Sequence, residues 1–336
     1  MRLKPSWLSL LFATLLLLGA CGGNRSDRTL EFSALGTDVT LTMFAVTADD
    51  ASQASRALQE YFARVSLDWY PWLPGELQSI NTAIELQQSV TVSSRLAQVI
   101  KRAAEIERLT DNRFNAGIGR VAELWGLHEI GKDPFAEPAI NDIAAALAQA
   151  IGVTNIRWID DQIVGAPPGL MLDLGGIAKG AILEDSARIL QDLGVANAII
   201  DIGGDLTVIG DAKGRPANVG IRSPFEDDII ASASIAAGET IVTSGDHERF
   251  FEIGGKRYSH ILNPRSGYPV EPTSAVTVIH ADAMLADAAA TALMVGGADE
   301  FDQLTTAMGL EFALLIDASG ELVLTEPMDL RLNWLN

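Results

Sequence analysis

Two periodicities alternate along the chain, and together they predict a mixture of strands and helices. Residues 32–45 alternate between apolar and polar side chains, which predicts a strand with one buried face. Apolar residues recur at helical spacing in later segments, at residues 94–109, 141–151, 177–193 and 286–295. Strand patterns return at residues 198–202, 206–209 and 229–261. Because these elements do not follow a regular βαβα order, we predict an α+β fold of mixed sheets and packed helices.

The composition is that of a folded protein and narrows its possible functions. The 336 residues suffice for one large domain or two ordinary ones, and 48% of them are hydrophobic. The formal net charge of −20 would repel the phosphate backbone of a nucleic acid, which excludes general nucleic-acid binding. An acidic protein that handles phosphates would need a metal ion. Cys21 is the only cysteine of the sequence, which excludes a disulfide framework, a cysteine zinc site and an iron–sulfur cluster.

The N-terminus has the features of a bacterial export signal. Arg2 and Lys4 precede an apolar run at residues 7–18 that is short for a membrane span. The following Leu-Gly-Ala-Cys sequence resembles a lipobox, in which Cys21 is lipidated and becomes the mature N-terminus. The alternative is a plain secretory peptide with an incidental cysteine. We predict a signal peptide at residues 1–20, a tether at 21–29 and one domain at 30–336. We predict that this domain lies on the periplasmic side and is anchored to the inner membrane, with the outer membrane as the alternative.

One glycine-rich turn has the features of a phosphate-binding loop. Asp173 ends a predicted strand, Gly175 and Gly176 follow, and Lys179 lies in the first turn of the next helix. Glycines let the backbone approach a ligand, while helix N-terminal amides and a lysine favour a phosphate. The spacing matches neither a Walker A motif nor a dinucleotide-binding fingerprint. The alternative is an ordinary glycine-rich turn between a strand and a helix.

A second candidate site lies on the predicted helix at residues 286–295. Asp287 and Thr291 are four residues apart, so their oxygen atoms lie on one face of that helix. A carboxylate and a hydroxyl one turn apart suit a hard cation that takes its remaining ligands from water and phosphate. The alternative is a capping aspartate and a threonine that bonds back to the helix.

Two further segments carry groups suited to catalysis or ring binding. His260 directly follows a predicted strand and precedes a tight turn at residues 263–267, which would hold it at the rim of a site. Asp246 ends a Thr-Ser-Gly-Asp segment further upstream. Tyr70 and Trp72 lie in an aromatic loop that could stack on a planar ring system, although loop packing alone would also explain it.

Taken in order, these segments resemble the ApbE family, the FAD:protein FMN transferases. The matching segments are Leu35-Gly36-Thr37, Glu76-Leu77 with Asn81, Thr110-Asp111 with Phe114, Leu124-Trp125-Gly126, residues 173–180, Ile202-Gly203-Gly204-Asp205, Thr243-Ser244-Gly245-Asp246, residues 260–267, and Ala286-Asp287 with Thr291. The segments lie between Leu35 and Thr291, and the resemblance covers the chain from about residue 31 to residue 325.

The resemblance implies an α+β fold with a flavin cleft between two lobes, and a Mg²⁺-dependent enzyme whose substrate is FAD. Such an enzyme transfers FMN from FAD to a threonine or serine hydroxyl of a target flavoprotein through a phosphoester bond and releases AMP. The implied partners are flavin-accepting subunits of membrane redox pumps or related flavoproteins. Two alternatives use the same contacts: a periplasmic FAD pyrophosphatase that yields FMN and AMP, and a passive FAD-binding lipoprotein.

The resemblance also assigns roles to individual residues by motif position. Asp287 and Thr291 would ligate magnesium together with the backbone carbonyl of Gly176. The implied FAD contacts are Leu35, Phe114, Asn115, Asp173, Lys179 and His260, with either Tyr70 or Trp72 beside the flavin. For the transfer step, His260 is the candidate general base and Asp246 the second candidate.

Overall fold

The structure is a computed structural model that describes residues 25–128, 136–211, 216–245, 250–271 and 273–335. The predicted signal peptide, Cys21 and Asp246 lie outside the described residues. Within those ranges no helix is both long enough and apolar enough to cross a membrane.

Strands and helices both recur along the whole described part of the chain. The strands are β1 (Ser26–Ala34), β2 (Thr37–Val46), β3 (Val90–Thr91), β4 (Arg157–Ile159), β5 (Gln162–Gly165), β6 (Ala198–Ile202), β7 (Asp205–Ile209), β8 (Ala217–Arg222), β9 (Ile229–Ile235), β10 (Thr240–Gly245), β11 (Phe250–Ile253), β12 (Lys256–Ser259), β13 (Thr273–His280), β14 (Phe312–Asp317), β15 (Leu322–Leu324) and β16 (Leu332–Trp334). The helices are α1 (Ala48–Asp68), α2 (Glu76–Glu85), α3 (Ser94–Leu109), α4 (Gly119–Leu124), α5 (Ile140–Gln149), α6 (Ala178–Asp192), α7 (Ala283–Met308) and α8 (Glu326–Arg331).

The central element is an eight-stranded sheet with the order β1-β2-β6-β7-β10-β13-β14-β15. Its neighbouring strands pair antiparallel. Helices α1, α6 and α7 cover one face, and a small sheet of β8, β9 and β16 covers the other together with α8. Side chains of one strand therefore alternate between two cores: Val242 packs on the helical side and Ile241 on the other. The predicted α+β class is confirmed.

A second group of elements packs beside the helical face of the sheet. Helices α2 and α3 join α7 in the largest core, and α4 and α5 pack with the β11–β12 hairpin. Trp125 is fully buried among the latter, and its Nε1 donates to the carbonyl oxygen of Gly267 at 2.7 Å. This contact fixes the turn that follows His260.

The structure corrects three boundaries drawn from the sequence pattern. The segment at 32–45 is two strands, because Leu35 and Gly36 adopt positive φ angles of 55° and 72° and turn the chain. Residues 26–29 of the predicted tether belong to β1 and pair with β2, since the alternation continues upstream of the turn. Helix α7 continues beyond residue 295, although Gly297 interrupts it with φ 64° and ψ −168°.

Candidate active site at the crossing of two helices

The first turn of α6 crosses α7 at very short range. A Cβ atom on Gly180 would lie only 2.2 Å from the carbonyl oxygen of Ala283, so glycine is required at this crossing. The absence of a side chain lets the backbone N–H of Gly180 donate to Oδ2 of Asp287 at 2.8 Å. Two candidate segments that lie 107 residues apart in the sequence therefore meet directly.

The three residues implied as metal ligands lie together at this crossing. Asp287 is 2% exposed, and Thr291 follows it one turn later on α7. A Cβ atom on Gly176 would lie 3.1 Å from Oγ1 of Thr291, so the glycine backbone packs against that hydroxyl. The only hydrogen bond described for the Thr291 hydroxyl is a long one, 3.4 Å to the carbonyl oxygen of Asp287.

The start of α7 is held in place by a cap and an ion pair. The Oδ1 atom of Asp282 accepts the N–H of Leu285 at 2.9 Å, which caps the first turn. Its other oxygen accepts from Arg102 of α3 at 2.6 Å. Helix α7 therefore has a fixed starting point, and the Asp287 side chain projects toward α6.

The charge at the crossing suits a cation. Burial raises the pKa of Asp287 to about 6, the Lys179 ammonium opposes this shift, and the charge of Asp205 adds to it. The donors are a carboxylate, a hydroxyl and a neighbouring backbone, which is the oxygen chemistry that Mg²⁺ prefers. Among the described residues there is no cluster of three or more His, Cys, Asp or Glu side chains that could hold a metal ion. A cation here would therefore depend on one carboxylate supported by neutral oxygens.

Lys179 forms an ion pair with Asp205, a residue to which the sequence analysis assigned no role. The Asp205 carboxylate is 1% exposed, and its other oxygen accepts the N–H of Thr243 at 2.9 Å. It directly follows Gly203 and Gly204, whose positive φ angles turn the chain between β6 and β7. The sequence shows two glycines before Asp205. It does not show that Asp205 pairs with Lys179, which lies 26 residues upstream.

Asp173 and the aromatic loop lie on the same side of the site. Oδ1 of Asp173 accepts the N–H of Gly175 at 2.8 Å, and burial raises the pKa of this half-buried carboxyl group. Burial also raises the pKa of Tyr70, and the charge of Asp173 adds to that shift, so the two side chains lie near each other. The rings of Tyr70 and Trp72 pack edge to face with centroids 5.4 Å apart. In the described part of the chain the buried Nε1 of Trp72 has no hydrogen-bond partner, which leaves a donor for a ligand.

Phe114 packs against the glycine-rich loop, and Asn115 stabilises the turn that follows Phe114 in sequence. The ring of Phe114 is buried, and its Cε2 atom would lie 3.2 Å from a Cβ on Gly176. The Asn115 amide donates to the carbonyl oxygen of Ala150 at 3.1 Å and accepts the N–H of Gly117 at 2.6 Å. Both polar atoms of Asn115 are thus already used within the protein, and the structure shows this side chain holding the turn.

The remaining implied contacts lie in turns at the ends of strands. Leu35 packs against the core beneath β2, and a Cβ on Gly203 would lie 2.3 Å from Oγ1 of nearby Thr37. The Leu35 turn is therefore next to the loop that carries Asp205. His260 is half-buried and directly follows β12, as predicted.

The chain is similar to known proteins over most of its length. The model of the ApbE family matches residues 35–314. The chain is 34% identical over 306 residues to the "FAD:protein FMN transferase" of Rhodobacter capsulatus, covering 91% of this chain and 58% of that protein. It is 31% identical to a protein of the same name from Klebsiella pneumoniae (strain 342), covering 92% of this chain and 96% of the relative.

A solved structure shows the same fold. The crystal structure of the ApbE protein from Thermotoga maritima superposes with a TM-score of 0.83 at 29% identity, covering 91% of this chain and 99% of that one. The family match spans most of the described chain, and the Klebsiella relative aligns over nearly its whole length. The chain therefore belongs to the ApbE family.

Proposed function

We propose that this protein is an FAD:protein FMN transferase, which moves FMN from FAD to a threonine or serine hydroxyl of a target flavoprotein and releases AMP. The observation that carries the proposal is the meeting of the glycine-rich turn with Asp287 and Thr291 at the α6–α7 crossing. A phosphate-binding turn beside an oxygen-rich cation site is what a pyrophosphate substrate requires. The names of the relatives support the same activity.

The proposed Mg²⁺ site consists of Asp287, Thr291 and the backbone carbonyl of Gly176. A divalent cation bound there supplies charge neutralisation and polarisation of the pyrophosphate. Lys179 adds a positive charge: its side chain is 29% exposed and already oriented by Asp205. The fit rests on the buried carboxylate of Asp287, which accepts a backbone N–H from Gly180, and on the weakly bonded hydroxyl of Thr291.

The proposed step is one phosphoryl transfer at the FMN phosphorus. The acceptor hydroxyl oxygen forms a bond to that phosphorus, and the bridging P–O bond of the pyrophosphate breaks. The bridging electron pair leaves with AMP. His260 takes the proton from the acceptor hydroxyl, with Asp246 as the second candidate. Asp173, Leu35, the Phe114–Asn115 turn and the Tyr70/Trp72 pair position the FAD.

Mass spectrometry of a co-expressed acceptor tests the activity directly. A threonine acceptor domain should gain the mass of one FMN less water, and its Thr→Val variant should gain none. Free FMN and AMP without acceptor labelling would instead identify a pyrophosphatase. Unchanged FAD would identify a passive binding protein, and either outcome would overturn the transferase proposal.

The setting of the reaction belongs to the same proposal. Lipidation of Cys21 would anchor the domain to a membrane on the periplasmic side, favouring the inner membrane. Flavin-accepting subunits of membrane redox pumps, or related flavoproteins, would then be its protein partners. The lipobox-like sequence and the high negative charge of the chain support an exported, anchored protein without nucleic-acid partners.

A further inference from the structure

Two arginines and two carboxylates connect three segments that are far apart in sequence. Arg113, whose side chain is 7% exposed, donates from Nε to Oε2 of Glu300 at 2.7 Å and also pairs with Oε1 of that residue. Its Nη1 donates to Oδ2 of Asp111 at 2.6 Å and to the Asp111 carbonyl oxygen at 2.9 Å. The guanidinium group thereby fixes the exit of α3 to the second half of α7.

Arg265 joins the same group from a third segment. Its Nη2 donates to Oδ2 of Asp111 at 2.5 Å and to the carbonyl oxygen of Asp111 at 3.0 Å. Its Nη1 lies 4.0 Å from Oε1 of Glu300. The pKa of Asp111 is lowered, first by the hydrogen bond from Arg113 and then by the charge of Arg265.

Arg265 lies at the tip of a short hairpin that begins at His260. Two backbone hydrogen bonds close the hairpin. The N–H of Val270 donates to the carbonyl oxygen of Ile261 at 2.9 Å, and the N–H of Asn263 donates to the carbonyl oxygen of Tyr268 at 2.8 Å. These bonds make residues 261–270 one stiff unit, so a movement of its tip is transmitted to its base. His260 is attached to that base.

Polar contacts attach the tip of this hairpin to other elements at two points in the part of the chain that the structure describes. One is the hydrogen bond from Trp125 to the carbonyl oxygen of Gly267. The other is the side chain of Arg265, which pairs with Asp111 and lies 4.0 Å from Oε1 of Glu300. Contacts on the Trp125 side alone, which include the packing of the Tyr268 ring against Trp125, would let the hairpin pivot, whereas contacts on both sides fix its orientation.

We propose that Arg265 is a positioning residue, which orients His260 through the stiff hairpin at residues 261–270 by binding Asp111. The proposal rests on the proposed function, in which His260 takes the acceptor proton. Asp111 is a suitable anchor because Arg113 and Glu300 hold it to α3 and α7, and α7 also carries Asp287. The contact of Arg265 with Asp111 therefore fixes the position of His260 relative to the proposed cation site on α7.

The pairing of Arg265 with Asp111 contributes little to folding, which makes it a clean target. The two side chains are 44% and 77% exposed, and exposed ion pairs stabilise proteins only weakly. Arg265→Ala should therefore melt within a degree or so of the wild type, and its affinity for FAD should change only modestly, through the implied contact of His260 with FAD. Single-turnover transfer should nevertheless slow by about 10- to 100-fold, because small misplacements of a catalytic group are costly.

The matched control is Arg222→Ala, which removes an exposed arginine from its ion pair with Asp227 in and beside β8. This control should leave transfer at the wild-type rate. Arg265→Lys keeps one donor to Asp111 and should restore part of the lost rate. If lysine restores the transfer rate and the Arg222→Ala control keeps the wild-type rate, the effect comes from the contact with Asp111 and not from a change in net charge.

A double-mutant cycle with His260→Ala decides the question. If Arg265 acts through His260, Arg265→Ala should cause no further loss of rate in the His260→Ala background. Fully additive losses, or a wild-type rate for Arg265→Ala alone, would overturn the positioning role and leave the proposed function intact. A wild-type rate for His260→Ala would instead overturn the base role, and the positioning role with it.

Discussion

The close packing of α6 on α7 makes the site sensitive to a single added methyl group, and Gly180→Ala places one there. The added Cβ would lie 2.2 Å from the carbonyl oxygen of Ala283, 2.6 Å from its carbonyl carbon and 2.8 Å from Cα of Met284. All three atoms belong to the backbone, so no side chain can rotate away. The two helices must separate.

The required movement can be worked from these distances. Carbon and oxygen approach to about 3.3 Å at closest, so α6 and α7 must separate by about 1 Å. This would lengthen the bond from Gly180 to Asp287, now 2.8 Å, beyond the range of a hydrogen bond. Overpacking costs about 1–3 kcal/mol and the lost bond to a charged group about 1.5–3 kcal/mol, against about 1 kcal/mol gained from alanine in a helix. The free energy of unfolding should fall by about 1.5–5 kcal/mol.

Urea unfolding measures this loss when the variant has the same dependence of unfolding free energy on urea concentration as the wild type. An FMN-transfer assay on the same preparation measures the effect on activity. Gly175→Ala is the matched control in the same loop, because its Cβ would meet only Oδ1 of Asp173 at 3.2 Å. That control should change the free energy of unfolding by less than about 0.5 kcal/mol. If Gly180→Ala unfolds within about 1 kcal/mol of the wild type and still transfers FMN, the close crossing is not what assembles the site.

Four further predictions address the metal, the ion pair, the pH dependence and the anchor. Asp287→Asn should abolish transfer, and EDTA should abolish it in the wild type until Mg²⁺ is added back; full turnover by the variant in chelator would exclude this metal site. Asp205→Asn should lower the free energy of unfolding in urea by about 1–3 kcal/mol, less than a fully buried pair would lose because Lys179 is partly exposed; an unchanged midpoint would show that the pair adds nothing. Burial raises the pKa of Glu107 above its ordinary value, so this group stabilises the fold most when protonated, and that contribution is lost as the pH rises through the folded-state pKa. As the pH rises above about 4.3, the ordinary pKa of a glutamate, the wild type should therefore lose stability relative to Glu107→Gln, and parallel pH profiles would contradict the assignment. Cys21→Ser should move the protein from the membrane fraction to a soluble or uncleaved form, and unchanged fractionation would refute the lipid anchor.

Several parts of the fold could be predicted from the sequence because their signals are local. The apolar spacing over residues 94–109 predicts α3, and the structure places that helix at Ser94–Leu109. Asp287 and Thr291 could be paired on one helix face because only the helical repeat was needed. Local patterns were less reliable at turns: the alternation around Leu35 continued through a reversal of the chain, since alternating polarity does not report a positive φ angle.

The relations between segments were decided by tertiary structure alone. Nothing local to Lys179 indicates that it pairs with Asp205, or that Asn115 donates its amide to Ala150. The bond between Arg265 and Asp111 joins residues 154 positions apart. Periodicity records which face of an element is buried, whereas packing determines which elements meet there. The sequence by itself determined helices α3, α5 and α6, the start of α7 and the candidate side-chain oxygen ligands. Only the close packing of α6 on α7, permitted by a glycine, brought the two halves of the site together.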